Sequence, residues 1–538
     1  MGSKWQKFLD FHRTTEGYIL KEQDNHMIHL PDQNIAVSGD VHKNYTKIKE
    51  FMSYPDSGDL IIRWLKVSLP DRTADAFIFY FDGLASRDNI GQFVLQPLMQ
   101  MTAVMPPKCD ETEYISRQLI TQHDIVVSET YEKAIDLVCF GGCGVFIDGI
   151  ARCYIADVKG WEKRSLQKPS TEGSVLGPQE GFTELIRMNT ALIRKTIKDS
   201  NLVIENVAVG NKSKTPCALL YIKNLVNDSL LAEVKRRMAQ VDVDYIFTSE
   251  ELENFLEDSN FRLVPQIFAT ERVDRAAMEI CDGNVVVMVN GSPFALVMPA
   301  TFFTFMKTPD SHYMRLPYAN LLQIVRYFAL AVSVLLPGFF IVVTQYHHEM
   351  IPTNLLYALE ASFEMTPFPT IAELIVLELA FELIREAEIK FPSIGGPSIG
   401  IVGALILGQA AVSANIVSPI IIIVVAFTAV GSLSTPNYNL GITFRIMKFV
   451  YIFFSAVAGF LGFTVCMFLH LVMLATTKSF GVRFLSPVAP RTREGFFRTV
   501  FVGRDYKKTS KPDYNNSKQE PCEHYRQRSG KGGGRHEK

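Results

Sequence analysis

Five glutamates fall within residues 371–390 (IAELIVLELAFELIREAEIK), a stretch that is otherwise mostly apolar: Glu373, Glu378, Glu382, Glu386 and Glu388. Glu378, Glu382 and Glu386 recur at every fourth position, so on a helix they stack along one face. Arg385 lies close to that face, and Leu374, Ile375, Leu377, Leu379, Phe381 and Ile384 cover much of the remainder. Two readings fit these residue types. In one, an amphipathic helix lies at a membrane surface or against a bundle, and its carboxylates meet water and headgroups. In the other, the stripe faces water inside an oligomer, where each glutamate becomes an acidic ring that concentrates cations and disfavours anions. Spacing alone leaves both open.

Other reactive residues form no recognisable site. The eight cysteines are scattered, with none at zinc-finger spacing beside companion histidines. Cys139-Phe-Gly-Gly-Cys143 reads as a tight turn with two small buried residues rather than a redox or metal pair. Reduced thiols fit a cytoplasmic head. Asp40-Val-His42 and Thr270-Glu-Arg272 read as surface pairs or caps. The N-terminal half lacks GxGxxG, P-loop, HExxH and GxSxG patterns. No catalytic residue, metal or cofactor is expected, and the chain reads as a non-enzyme.

The elements that must position the acidic stretch are apolar runs. Residues 321–346, 394–413, 416–433 and 449–476 are each long enough to be read as a bilayer span. The first covers roughly 39 Å as a helix, against a hydrocarbon core of about 30 Å. Glycines at 395, 396, 400, 403 and 408 stud the second; Gly400, Gly403 and Gly408 are candidate packing positions where helices approach closely. Pro337 in the first run and Pro419 near the start of the third each remove a backbone hydrogen bond, which predicts hinges. The acidic stretch is not counted as a fifth crossing. The segment from Lys478 carries about fifteen Lys and Arg, and the positive-inside rule places it in the cytoplasm. The first residues, MGSKWQKFLDFHR, have no apolar signal core, so the head is expected on the same side. That requires an even number of crossings.

The head alternates strand-like and helix-like segments. Residues 60–67 and 76–81 are rich in β-branched and aromatic residues, and Asp148-Gly149 and Asn290-Gly291 each separate two short apolar runs as hairpin turns do. The expected fold class is α+β/α: a head of two α/β subdomains, then an all-α polytopic membrane domain and a basic tail. The boundaries are a flexible arm at 1–45, subdomains at 46–167 and 168–315, the membrane domain at 316–480 and the tail at 481–538. The head halves look alike, but their match is too weak to establish a repeat. With 54 basic and 56 acidic residues the net charge is −2, which argues against a nucleic-acid binder.

Long stretches resemble the A subunits of GerA-type spore germinant receptors. They are RLPYANLLQIVRYFAL (315–330), HHEMIPTNLL (347–356), TPFPTIAELIVLELAFELIREAEIKFP (366–392), the Gly-rich run 396–441 and FGVRFLSPVAP (480–490). In the head they are GPQEGFTELIRMNTALIRKTI (177–197), ATERVDRAA (269–277) and VNGSPFALVMPATFF (289–303). Val273 stands where the family usually has proline, and Asn290 where it usually has aspartate. The resemblance implies a multi-pass protein of the spore inner membrane with cytoplasmic termini. It implies a transporter-like B subunit that holds the nutrient, a lipoprotein C subunit, and homo-oligomerisation into a nutrient-gated cation channel. Glu378, Glu382 and Glu386 are then the candidate ion path. A related stage V-type sporulation membrane protein and, less favoured, a secondary transporter are the alternatives.

Overall fold

Strand-forming residues in the head pair into two sheets. The structure is a computed structural model that describes residues 34–69, 72–100, 111–160, 176–259, 262–308, 310–390, 408–491 and 515–518, with a few isolated positions. The first unit runs α1 (Val41–Phe51), β1 (Leu60–Ser68), β2 (Thr73–Phe81), β3 (Ile125–Ser128), α2 (Tyr131–Cys139), β4 (Gly142–Ile147) and β5 (Cys153–Asp157). Its sheet order is β1-β2-β4-β5-β3, antiparallel throughout. The second runs α3 (Ile186–Thr196), β6 (Leu202–Val209), β7 (Thr215–Ile222), α4 (Asp228–Ala239), α5 (Ser249–Leu256), β8 (Phe268–Thr270), α6 (Val273–Cys281), β9 (Val285–Val289) and β10 (Ala295–Met298). Its order is β6-β7-β9-β10-β8, again antiparallel. Asp40 accepts from the His42 and Lys43 amides and so caps α1. Cys139 and Cys143 are buried; burial pushes the Cys139 thiol up to about 12 and raises that of Cys143 too, which leaves both inert.

The two halves, expected only as similar units, carry one topology twice, down to individual hydrogen bonds. Asn44 grips Ser38, six residues back, with its amide oxygen and nitrogen at 3.1 and 2.7 Å; Asn189 grips Thr183 in the same way at 2.8 and 2.6 Å. The hairpin turn then ties down each helix start. Asp148 accepts from the Val41 amide and Asn290 from the Ile186 amide, both at 3.2 Å. Gly149 donates to Gly39 O and Gly291 to Glu184 O, both at 2.8 Å. Both glycines have positive φ, +84° and +98°, which other residues reach only under strain. Arg194, 1% exposed, locks the units together: it forks onto Asp59 at 3.0 Å and lies 4.1 Å over the Phe81 ring.

After the short helix α7 (Phe302–Met306) come α8 (Leu316–Gln345), α9 (Thr353–Glu364), α10 (Thr370–Lys390), α11 (Pro419–Leu433) and α12 (Tyr438–Thr476). Among the described helices, α8 and α12 are long and apolar enough to cross a membrane. The expected run 394–413, with Gly400 and Gly403, lies outside the described residues except for 408–413, which are helical and include Gly408. Helix α8 runs on through Pro337. Pro419 occupies the first position of α11. There its missing N–H is no loss, so it starts the helix instead of kinking it.

The largest departure from expectation is α12. Its backbone leaves the helical region at Gly459 (φ 56°, ψ −135°). Tyr451 Oη meets His470 Nδ1 at 3.2 Å although they are 19 positions apart, which a straight helix would separate by about 28 Å. The run 449–476 is therefore not one span. It is the tip and return of a hairpin with arms 438–458 and 460–476. Thr443 bonds Leu263 O and Arg262 bonds Thr476, so both open ends lie against the head. The tip meets the far end of α8, where Tyr346 donates to Ala456 O at 2.6 Å.

Head and helices share one core, from Leu220 and Phe305 to Leu440, Phe444 and Leu474. A β-turn after α12 fastens it. Ser479 accepts from the Ala300 amide, and the Phe480 ring stacks 4.1 Å under the fully buried Arg237, which pairs with Glu233 at 2.8 Å and Asp258 at 2.6 Å. Beside it, burial and neighbouring carboxylates push Glu253 up to about 8 and Glu257 to about 7. A carboxyl raised in the folded state binds a proton that the unfolded chain has already lost, so stability falls as pH rises from the ordinary carboxylate range toward 8. The melting temperature of the purified protein is therefore expected to drop between about pH 5 and 8, and Glu253→Gln is expected to flatten that slope. An equally steep slope in the variant would show that Glu253 is not the source.

Candidate functional site

Helix α10 runs antiparallel to the first arm of α12, and α11 packs beside both. Its acidic face is turned inward, which neither sequence reading anticipated. Glu378, 1% exposed, meets Lys448 Nζ at 2.5 Å and accepts from Thr428 Oγ1 at 2.9 Å. One turn on, Glu382 meets Arg445 at 3.0 Å and Lys448 at 3.6 Å; Arg385 stands 3.8 Å away and donates to Ser432 at 2.7 Å. Glu386 is exposed and lines, with Glu382, Arg385, Tyr438 and Arg445, a cavity of about 270 Å³ on the head side. The outward face of α10 carries Val376, Leu379 and Leu383, all more than half exposed.

These are not open carboxylates. Two charges out of water are tolerated only with close partners and further hydrogen bonds, which Lys448, Arg445 and Thr428 supply. The site thus has two acids and two bases interleaved between α10 and α12, with Arg385 and Glu386 at the wetter end. Such an arrangement can store opposite charges and release them when the helices part. It presents no nucleophile beside a base and no cluster of metal-binding side chains among the described residues.

Lys448 and Arg445 were missed, although the sequence marks them. They are three apart in the apolar stretch GITFRIMKFVY, where a charge needs an internal partner.

A duplicated α/β head is thus built onto a helix bundle in which α8 and α12 are long and apolar enough to cross a membrane, and ion pairs are sealed between α10 and α12. The chain belongs to the GerA family. The family model described as Bacillus/Clostridium GerA spore germination protein matches residues 46–514. Spore germination protein KA of Bacillus subtilis (strain 168) is 34% identical over 470 residues, which cover 87% of this chain and 86% of that one. Spore germination protein GerLA of Bacillus cereus is 30% identical over 456 residues, covering 85% and 92%. A solved structure, the N-terminal domain of the A subunit of the Bacillus megaterium spore germinant receptor GerK3, covers 50% of this chain and 98% of its own, at 26% identity and a TM-score of 0.39.

Proposed function

We propose that this chain is the A subunit of a nutrient germinant receptor in the spore inner membrane. It oligomerises into a nutrient-gated cation channel, beside a transporter-like B subunit that holds the nutrient and a lipoprotein C subunit. The two-unit head, which takes in α1 from Val41, and the tail after 480 lie on the cytoplasmic side. The observation that carries this reading is the inward acidic face of α10 closed by Lys448 and Arg445. A carboxylate already bonded to an ammonium offers little to a passing cation. The arrangement is that of a shut path, and conduction along Glu378 and Glu382 requires α10 to part from α12.

The test is cation release from spores exposed to a complete nutrient medium. Glu382→Gln is expected to change the rate of release while protein level and assembly persist, because Arg445 and Lys448 lose one partner. Normal assembly with unchanged release in both Glu378→Gln and Glu382→Gln would leave the acidic face a packing feature only.

A further inference from the structure

Glu373 is also buried, 1% exposed, one and a half turns before Glu378, and its surroundings differ. One carboxylate oxygen, Oε2, accepts from the Ser418 amide at 2.9 Å. The other, Oε1, is buried and has no hydrogen-bond partner. No Lys, Arg or His pairs with Glu373 among the described residues, whereas Glu378 and Glu382 each have a base. The walls are apolar: Leu374, Val417 and Ile421 are buried and Phe363 packs with them. The Ser418 amide at the start of α11 meets part of the carboxylate's charge, and Oε1 is left with no donor, which is costly in such a place.

Two helix breaks converge here. One is the 365–369 turn between α9 and α10; the other is the break before α11, where Asn415 has a positive φ of 52°. Ser362 Oγ lies 2.5 Å from Ser418 Oγ, and each hydroxyl keeps acceptor capacity beyond that bond. Unwound backbone between half-helices, with an acid and hydroxyls, is how membrane proteins hold small cations.

We propose that Glu373 Oε1, Ser362 Oγ and Ser418 Oγ form a site for a monovalent alkali cation. Charge selects the valence. A single positive charge neutralises the carboxylate, while a divalent ion would leave a net positive charge in an apolar pocket beside the positive end of α11. The N–H of Ser418 is taken up by Oε2, so the free oxygen is the one left for the ion. The site lies near the end of α10 remote from the head, upstream of the ion-paired glutamates.

Binding is read without any assumption that the chain conducts. Purified full-length protein in lipid nanodiscs is melted in NaCl, KCl, MgCl2 or choline chloride at matched ionic strength. Sodium or potassium is expected to raise the melting temperature in a saturable way over choline, and magnesium is not. Glu373→Gln is expected to abolish the shift, and Glu132→Gln, at an exposed position in the head, to retain it. Ser362→Ala is expected to move the half-saturating concentration up about tenfold, the usual worth of one bond to a charged group. A wild-type protein indifferent to alkali cations would overturn the proposal. A shift that survives Glu373→Gln would place the ion elsewhere. If that variant does not fold, an unchanged midpoint in Ser362→Ala overturns the site by itself.

Discussion

Lys448→Met is expected to destabilise the helix bundle by about 3–5 kcal/mol, far more than Glu378→Gln. The asymmetry follows from who keeps a partner. Without Lys448, Glu378 is a carboxylate 1% exposed with only the Thr428 hydroxyl to meet its charge. Without the Glu378 charge, Lys448 still has Glu382 at 3.6 Å. The double variant Glu378→Gln with Lys448→Met removes both charges, keeps the Thr428 bond and should recover most of the loss, since replacing a buried pair by groups of similar volume is often near neutral. Thermal unfolding of the four proteins gives the cycle directly. In spores, the single Lys448→Met variant is expected to leak cations before nutrient arrives, because the bond that holds α10 to α12 is gone. If Lys448→Met melts with the wild type, the pair is not formed and the shut-path reading loses its basis.

The acidic face was legible because a four-residue spacing states which side chains share a helix face. It does not state what that face meets. That information lay in another element: Arg445 and Lys448, seventy residues downstream of Glu378 in the case of Lys448. Charges inside apolar runs call for one another, so pairing was deducible in kind but not in register. Glu373 was counted among the five glutamates but given no role, because it falls outside the four-residue series. It is the break before α11, not α10, that gives it its setting.

The duplicated head illustrates the converse. Residues 128–149 and 270–291 align without a gap (270 − 128 = 142), and the β1–β2 and β6–β7 pairs follow nearly the same offset. Few identities survive apart from Glu129/Glu271, Ala134/Ala276, Cys139/Cys281, Gly141/Gly283 and Gly149/Gly291. Core positions accept any apolar residue of suitable volume, so Val, Ile, Met and Phe exchange freely and the signal fades. What persists are the positions where backbone geometry decides. Gly141 and Gly283 end their helices at φ +102° and +92°, and Gly149 and Gly291 turn their hairpins. The hairpin in α12 was hidden for a related reason. Hydropathy is uniform through 449–476, and a reversal inside lipid requires no polar turn when the two arms satisfy their own backbone bonds.

Gly459→Ala and Gly462→Ala are each expected to cost about 3 kcal/mol or more and to strip the protein from membranes at growth temperature. The two act through different atoms. At Gly459 the backbone sits at φ 56°, ψ −135°, a region other residues avoid, and an added Cβ would stand 2.9 Å from the Tyr346 ring. At Gly462 the conformation is helical, but an added Cβ would run into the carbonyl oxygen of Phe454 on the opposite arm. A backbone atom cannot swing aside as a side chain can, so the arms must separate. That separation also pulls Tyr451 from His470 and loosens the close crossing at Gly338, where an added Cβ would stand 3.2 Å from Tyr451. Gly441→Ala is the control: it lies in the same helix, its nearest neighbour would be Thr435 Cβ at 4.0 Å, and alanine favours the helix. Membrane-fraction immunoblots and melting curves of the three variants separate the cases. Gly462→Ala behaving like Gly441→Ala would mean that the arms do not lie side by side and that residues 438–476 form one long helix after all.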